Sequence, residues 1–292
     1  MSKLEQMAYK LEPAGHEEQP SKRKYVEPER KLATAFEAWL SWLTKELEPI
    51  LNGEQLALNF EEWYKKAESM LGDSKPSPAE ANLLPLFYEG HKWVEHAGIF
   101  ISAVYNRSPD KLIIFDIELE KGIRELGYKL SNNKTLINTA KLADDFGIEA
   151  EGAIINCGLA GIGFGARSSG VAINLGLTAD YTFAYMASGI IINCGTVGFN
   201  FRPEWAQIGW YATGTIITTQ HLPINMLNAK DATVIQPINL EKMPTLSKYV
   251  KELKEIWDGK NTSYNCILDD WGPEPAKKIQ QDIEEILERC DV

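Results

Sequence analysis

The sequence predicts a mixed α+β fold: an N-terminal helical region, a short right-handed parallel β-helix of about five coils, and C-terminal helices. Three observations carry that prediction. Apolar residues early in the chain recur at helical spacing. A glycine-rich stretch in the middle repeats itself every 18 or 19 residues over most of its length. Charge almost vanishes from that stretch and returns after it.

Residues 1–27 read as a flexible tail, rich in Glu, Lys, Pro and Gln and poor in apolar side chains. Residues 28–110 read as the helical region. A helix begins near Pro28, because proline at a first helical position wastes no donor. Leu32, Phe36, Trp39, Leu40, Leu43 and Leu47 then step by three and four along one face. A second helix lies in NFEEWYKKAESML and stops at Gly72, ahead of Pro76 and Pro78. The run SPAEANLLPLFYEGHKWVEHAGIFISAVYN predicts a third, long helix bent at Pro85 or Gly90.

Residues 111–240 are assigned to the β-helix. KLIIFDIEL opens the segment as a strand. Aligned on glycines, the chain then reads KTLINTA from Lys134, GAIINCG from Gly152, GVAINLG from Gly170, GIIINCG from Gly189 and GTIITTQ from Gly214. Asparagine recurs in one column at Asn138, Asn156, Asn174 and Asn193, with Thr218 in fifth place. Ile137, Ile155, Ile173, Ile192 and Ile217 precede it. A second column holds Phe146, Phe164, Phe183 and Ile208, and a third holds the small residues Ala150, Ser168, Ala187 and Ala212. Columns at one period specify a solenoid in which each strand pairs with its copy in the next coil, about 4.8 Å away. Stacking turns the Ile and Phe columns into core ladders and the asparagines into a ladder of amides. Glycines are expected where the corners need positive φ. The run GIGFGARSSG therefore reads as a corner. A phosphate loop needs a helix directly after its glycines and a lysine, and here the nearest lysines are Lys141 and Lys230.

The runs AGIGFGARSSGVAINLG and ADYTFAYMASGIIINCG resemble repeats of the GXGXG β-helix superfamily. That superfamily includes the C-terminal domain of glutamate synthase large subunits and a related chain of formylmethanofuran dehydrogenase. Arg167-Ser168-Ser169-Gly170 and Met186-Ala187-Ser188-Gly189 occupy the positions of its R/M-x-S-G step. The resemblance covers roughly residues 134–219. It implies a β-helix without catalytic residues of its own, joining domains or subunits. The chain departs from the family in having few coils, an insertion VGFNFRPEWAQIGW, and nothing that resembles a flavin barrel, an iron–sulfur cluster or a glutaminase domain.

Candidate chemistry is sparse. Cys157 and Cys194 share a column two coils, about 9.6 Å, apart, which exceeds disulfide reach and predicts free thiols. His91 and His96, flanked by Glu89 and Glu95, lie five apart, whereas metal pairs on a helix prefer three or four. Asp144, Asp145, Glu149 and Glu151 form an acidic cluster at the start of the solenoid. It reads as a solvated first coil, because neighbours along a strand point to opposite faces. Phe199, Phe201, Arg202, Trp205 and Trp210 in the insertion have the aromatic-plus-arginine make-up of an interaction site.

Residues 241–292 read as two charged surface helices. Leu246, Tyr249, Val250, Leu253 and Trp257 line one of them; Ile279, Ile283 and Ile286 line the other. They are available to cap an open coil or to pack on its flank. The net charge of −11 disfavours nucleic acid and anionic membrane as partners, and no apolar run is long enough to span a bilayer. The polar N-terminus lacks a signal-peptide core, so the expected compartment is the cytoplasm. No cofactor, metal or catalytic residue is implied. The reading that follows is a non-catalytic scaffold or interaction protein, a subunit of a larger assembly with a protein partner or a second copy. The bare segment between Gly152 and Ile217, with only Arg167, Asp180, Arg202 and Glu204 charged, calls for such cover. Two alternatives stand beside it. One is an enzyme, a hydrolase or lyase or a glutamate-synthase relative, with Arg167, Asp180, Arg202 and a histidine meeting between helices and β-helix. The other is a small-ligand binding module.

Overall fold

The structure, a computed structural model, describes residues 30–51, 59–117, 119, 121–174, 176–178, 188–193, 196–197, 213–218 and 233–235. The predicted tail, the C-terminal helices, Cys194, Asp180 and the insertion residues Phe199, Phe201, Arg202, Trp205 and Trp210 lie outside the described residues. The described chain is α+β: helices followed by parallel sheet.

Among the described residues four helices come first: α1 (Arg30–Leu51), α2 (Phe60–Leu71), α3 (Pro78–Phe87) and α4 (Ala97–Arg107). The predicted apolar face of α1 is the buried one. Phe36 packs edge-on against Phe100 of α4 at 5.1 Å, and Trp39 Nε1 donates to the Trp63 carbonyl at 3.1 Å. Asn59 caps α2, and a Ser77–Glu80 capping box opens α3. The expected long third helix is two helices. α3 ends at Phe87, turns and a 3-10 segment (Val94–His96) intervene, and α4 starts anew at Ala97. Gly90 and the polar run around it stop the helix rather than bend it.

Seven parallel strands form the main sheet in the order β1 (Leu112–Phe115), β2 (Thr135–Asn138), β3 (Ala153–Asn156), β5 (Val171–Asn174), β7 (Ile190–Asn193), β9 (Thr215–Thr218) and β10 (Thr233–Ile235). β4 (Leu159–Ala160), β6 (Leu177–Thr178) and β8 (Thr196–Val197) form a second, three-stranded parallel sheet. Each of three successive repeats thus places one strand in both sheets. β1 and β10 extend the main sheet beyond the five glycine-led units. Pairing is in register: Leu136 opposite Ile154, Ile154 opposite Ala172, Asn156 opposite Asn174.

The asparagine column is a continuous chain of hydrogen bonds in a buried slot. Asn138 Nδ2 donates to Asn156 Oδ1 at 2.9 Å, Asn156 Nδ2 to Asn174 Oδ1 at 3.0 Å, and Asn174 Nδ2 to Asn193 Oδ1 at 2.8 Å. All four side chains are 0% exposed. Asn138 also grips its own turn, donating to the Ala140 carbonyl and accepting from the Ala140 amide.

One expected ladder sits elsewhere. Side chains alternate faces along a strand, so the isoleucines beside the asparagines point away from them. The core shared with Phe146 and Phe164 is lined instead by Leu136, Ile154, Ala172 and Ile191. Ile137, Ile155, Ile173 and Ile192 form a separate stripe on the opposite face. It is also buried, at 0–3% exposure, within one chain.

The corners repeat as well. Glu125, Gly127 and Lys129 have positive φ; so do Asp145, Gly147 and Glu149, and so do Gly163, Gly165 and Arg167. Three left-handed residues at alternate positions are costly for the non-glycines, by about 1 kcal/mol each. Neighbouring corners hold one another by backbone bonds: Glu125 N to Asp144 O, Gly147 N to Leu126 O and Gly165 N to Phe146 O. No helix follows Gly165; a turn leads to β5. The glycines that lead each unit serve a different purpose. A Cβ on Gly170 would lie 2.2 Å from the Gly152 carbonyl oxygen, so close backbone approach selects glycine there.

Among the described residues no helix is long and apolar enough to cross a membrane.

Replacing Asn156 with Ala strips Asn174 of its donor and Asn138 of one acceptor, in a site without water access. The expected loss is about 2–3 kcal/mol of unfolding free energy, read from urea denaturation at constant m.

Candidate functional site

Titratable and polar groups gather where α4 meets the first corner of the sheet. His96 closes the 3-10 segment ahead of α4. Its Nδ1 lies 3.0 Å from Glu125 Oε2 and 3.2 Å from Oε1. Trp63 meets the imidazole edge to face at 5.3 Å. His96 is 4% exposed and Glu125 0%. Burial pushes the Glu125 carboxyl above its ordinary range, while the His96 contact pulls it back down.

Three features dock α4 onto this corner. Gly98 lets the helix touch the backbone: a Cβ there would lie 2.0 Å from the Arg124 carbonyl oxygen and 2.6 Å from the Leu126 nitrogen. Ser102 Oγ accepts from Gly127 N at 2.8 Å and Tyr128 N at 3.1 Å, and donates to the Gly98 carbonyl. Arg124 N donates to the Glu95 carbonyl at 2.7 Å. α2 adds an ion pair from Glu61 to Lys129 on the same corner, and the neighbouring Lys129 and Lys65 hold the Glu61 carboxyl down near 2.

The next corner supplies two more acids. Asp144 Oδ2 accepts from Arg124 Nη2 at 3.0 Å, and its Oδ1 accepts from the Ile162 amide at 2.9 Å. Asp145 is half-buried. Desolvation first, then the charges of Glu125 and Asp144, raise it to about 6. The expectation of a solvated cluster holds for exposed Glu151 and in part for Asp144 and Glu149; Asp145, desolvated, is the exception. The pair belongs to the second corner, and it lies against the bare backbone of Gly161 and Gly163, where a Cβ would fall 2.5 Å from Asp144 Oδ1 and 2.4 Å from Asp145 Oδ1.

The remaining candidates do not join this group. His91 Nδ1 accepts from the Trp93 amide at 3.3 Å, so the two histidines serve separate contacts. Arg167 pairs with Glu149 at 3.5 Å on the outer side of the corners. Cys157 is a buried free thiol, pushed up to about 12 by desolvation. Among the described residues no group of three His, Cys, Asp or Glu could hold a metal ion. The His96–Glu125 pair is separated by 29 positions and is invisible to motif spacing. The signal that could have found it is the corner pattern itself: ELGYK at Glu125–Lys129 parallels DFGIE at Asp145–Glu149 and GFGAR at Gly163–Arg167.

Comparison of the chain with protein-family models, with curated proteins and with solved structures finds no significant match.

Gly98→Ala separates the two effects of glycine in this helix. Better helix propensity favours alanine by about 1 kcal/mol. Overlap with the Arg124 backbone opposes it by about 3 kcal/mol or more. The net expectation is a lower midpoint in thermal denaturation.

Proposed function

We propose that the chain is a non-catalytic scaffold, a subunit of a larger assembly, built on a right-handed parallel β-helix related to the GXGXG superfamily. In-register parallel pairing over 18- and 19-residue repeats supports the β-helix, as do the stacked corners and the asparagine ladder. The observation that carries the scaffold reading is the internal use of the reactive groups. His96, Glu125, Ser102 and Cys157 are all nearly inaccessible, and each of the first three ties helix to corner. Among the described residues these groups act inside the fold, and a solenoid offers an extended surface suited to partners. The insertion around Phe199, Phe201, Arg202, Trp205 and Trp210 is the segment assigned to partner contact, on its composition alone.

An enzyme with its site between helices and sheet is the second reading. The buried His96–Glu125 pair favours it, because imidazole–carboxylate pairs are a recurring acid–base unit. Substrate could reach that pair only if the joint opened.

Size in the native host decides between them. Extract fractionated by size exclusion and probed for the chain is expected to show it well above its own 32.8 kDa. Elution at the monomer mass, with a turnover activity abolished by His96→Gln, would reverse the assignment.

A further inference from the structure

The joint between α4 and the first corner carries an excess of acid. Facing one another there are Glu95 and His96 from the 3-10 segment, Arg124 and Glu125 from the first corner, and Asp144 from the second; Asp145 follows Asp144 and holds the corner position that matches Glu125. Arg167 of the third corner also acts on Asp145. α2 contributes only the uncharged Trp63 ring to the imidazole. Four carboxylates thus meet two guanidinium groups and one imidazole. Arg124 bonds Asp144 directly and stands 3.8 Å from Glu125, while Arg167 is half exposed and bonded to Glu149. Neither cation fully neutralises Glu125 or Asp145.

We propose that Glu125 and Asp145 form a proton-coupled latch, with buried His96 as the hydrogen-bond partner of Glu125: the helical region closes tightly on the first corner when both carboxyls hold their protons and loosens as the pH rises. Removing the proton from Glu125 leaves a carboxylate in a site walled by Trp63, the backbone of α4 and the corner. Removing one from Asp145 adds a second negative charge beside it. The cost of burying those charges weakens the very contacts that seat α4, including Ser102 on Gly127 and Tyr128. The sign follows from linkage. Both carboxyls are raised in the folded protein, Asp145 to about 6. Their contribution is complete below the ordinary carboxylate range and is lost as pH climbs through the raised values. The latch is independent of whether the chain acts as a scaffold or as an enzyme.

Hydrogen exchange of the full chain at pH 5 and pH 8, corrected for intrinsic rates, tests the latch. Peptides covering 97–107 and 122–131 are expected to lose about tenfold in protection at pH 8, the effect of one carboxyl shifted to about 6. Peptides covering 188–193, remote from both carboxyls, should not change between the two. The double variant Glu125→Gln, Asp145→Asn keeps hydrogen-bonding groups but removes both titrations, and should be equally protected at either pH. Protection in the unsubstituted chain that stays flat or rises with pH overturns the proposal, and so does an unaltered pH response in the double variant. Should that variant fail to fold, the profile of the unsubstituted chain decides by itself.

Discussion

Everything in the described chain depends on backbone register between neighbouring repeats. A parallel pair gains little from each strand of four residues. It becomes stable because the same residues meet again one repeat later. The asparagine amides enforce this. A slip by one residue would move every Asn to the wrong face and break three buried bonds at once. The stacked rings of Phe146 and Phe164, 5.2 Å apart, repeat the same constraint in the core.

Register also makes the strained corners possible. Glu125, Lys129, Asp145, Glu149 and Arg167 all hold left-handed conformations that their side chains disfavour. Each corner is bonded to its neighbours through backbone groups, so stack and corners stabilise one another. The outer charges follow the same stacking, as in Glu149 beside Arg167. At the first strand the stack would end on bare backbone. There α3 and α4 close it: Asn82 Nδ2 donates to the Ile114 carbonyl at 2.7 Å, and Tyr105 orients Asn82. The helical region is thus the cap that an open parallel edge needs.

Much of this is legible in the sequence, and the reasons for the misses are physical. Glycine and asparagine spacing locates β2, β3, β5, β7 and β9, because close backbone approach and amide stacking tolerate few other residues. β1 reads as a strand, yet its place in the repeat is hidden. Phe115 stands opposite Asn138, and Leu126 takes the corner position held elsewhere by phenylalanine. The isoleucine column falls on the face away from the phenylalanines, and sequence could not tell, because a run buried on both faces shows no alternation. Spacing sets His96 only against His91, since it sees local neighbours while Glu125 arrives through the fold.

The account is tested most directly at the asparagine amides. In protein labelled with nitrogen-15 at asparagine, magnetisation transfer between side-chain amides should link Asn138 to Asn156, Asn156 to Asn174 and Asn174 to Asn193, with slow exchange at each. Amide protons that exchange at free-peptide rates and show no link to the next repeat would contradict the stacked architecture.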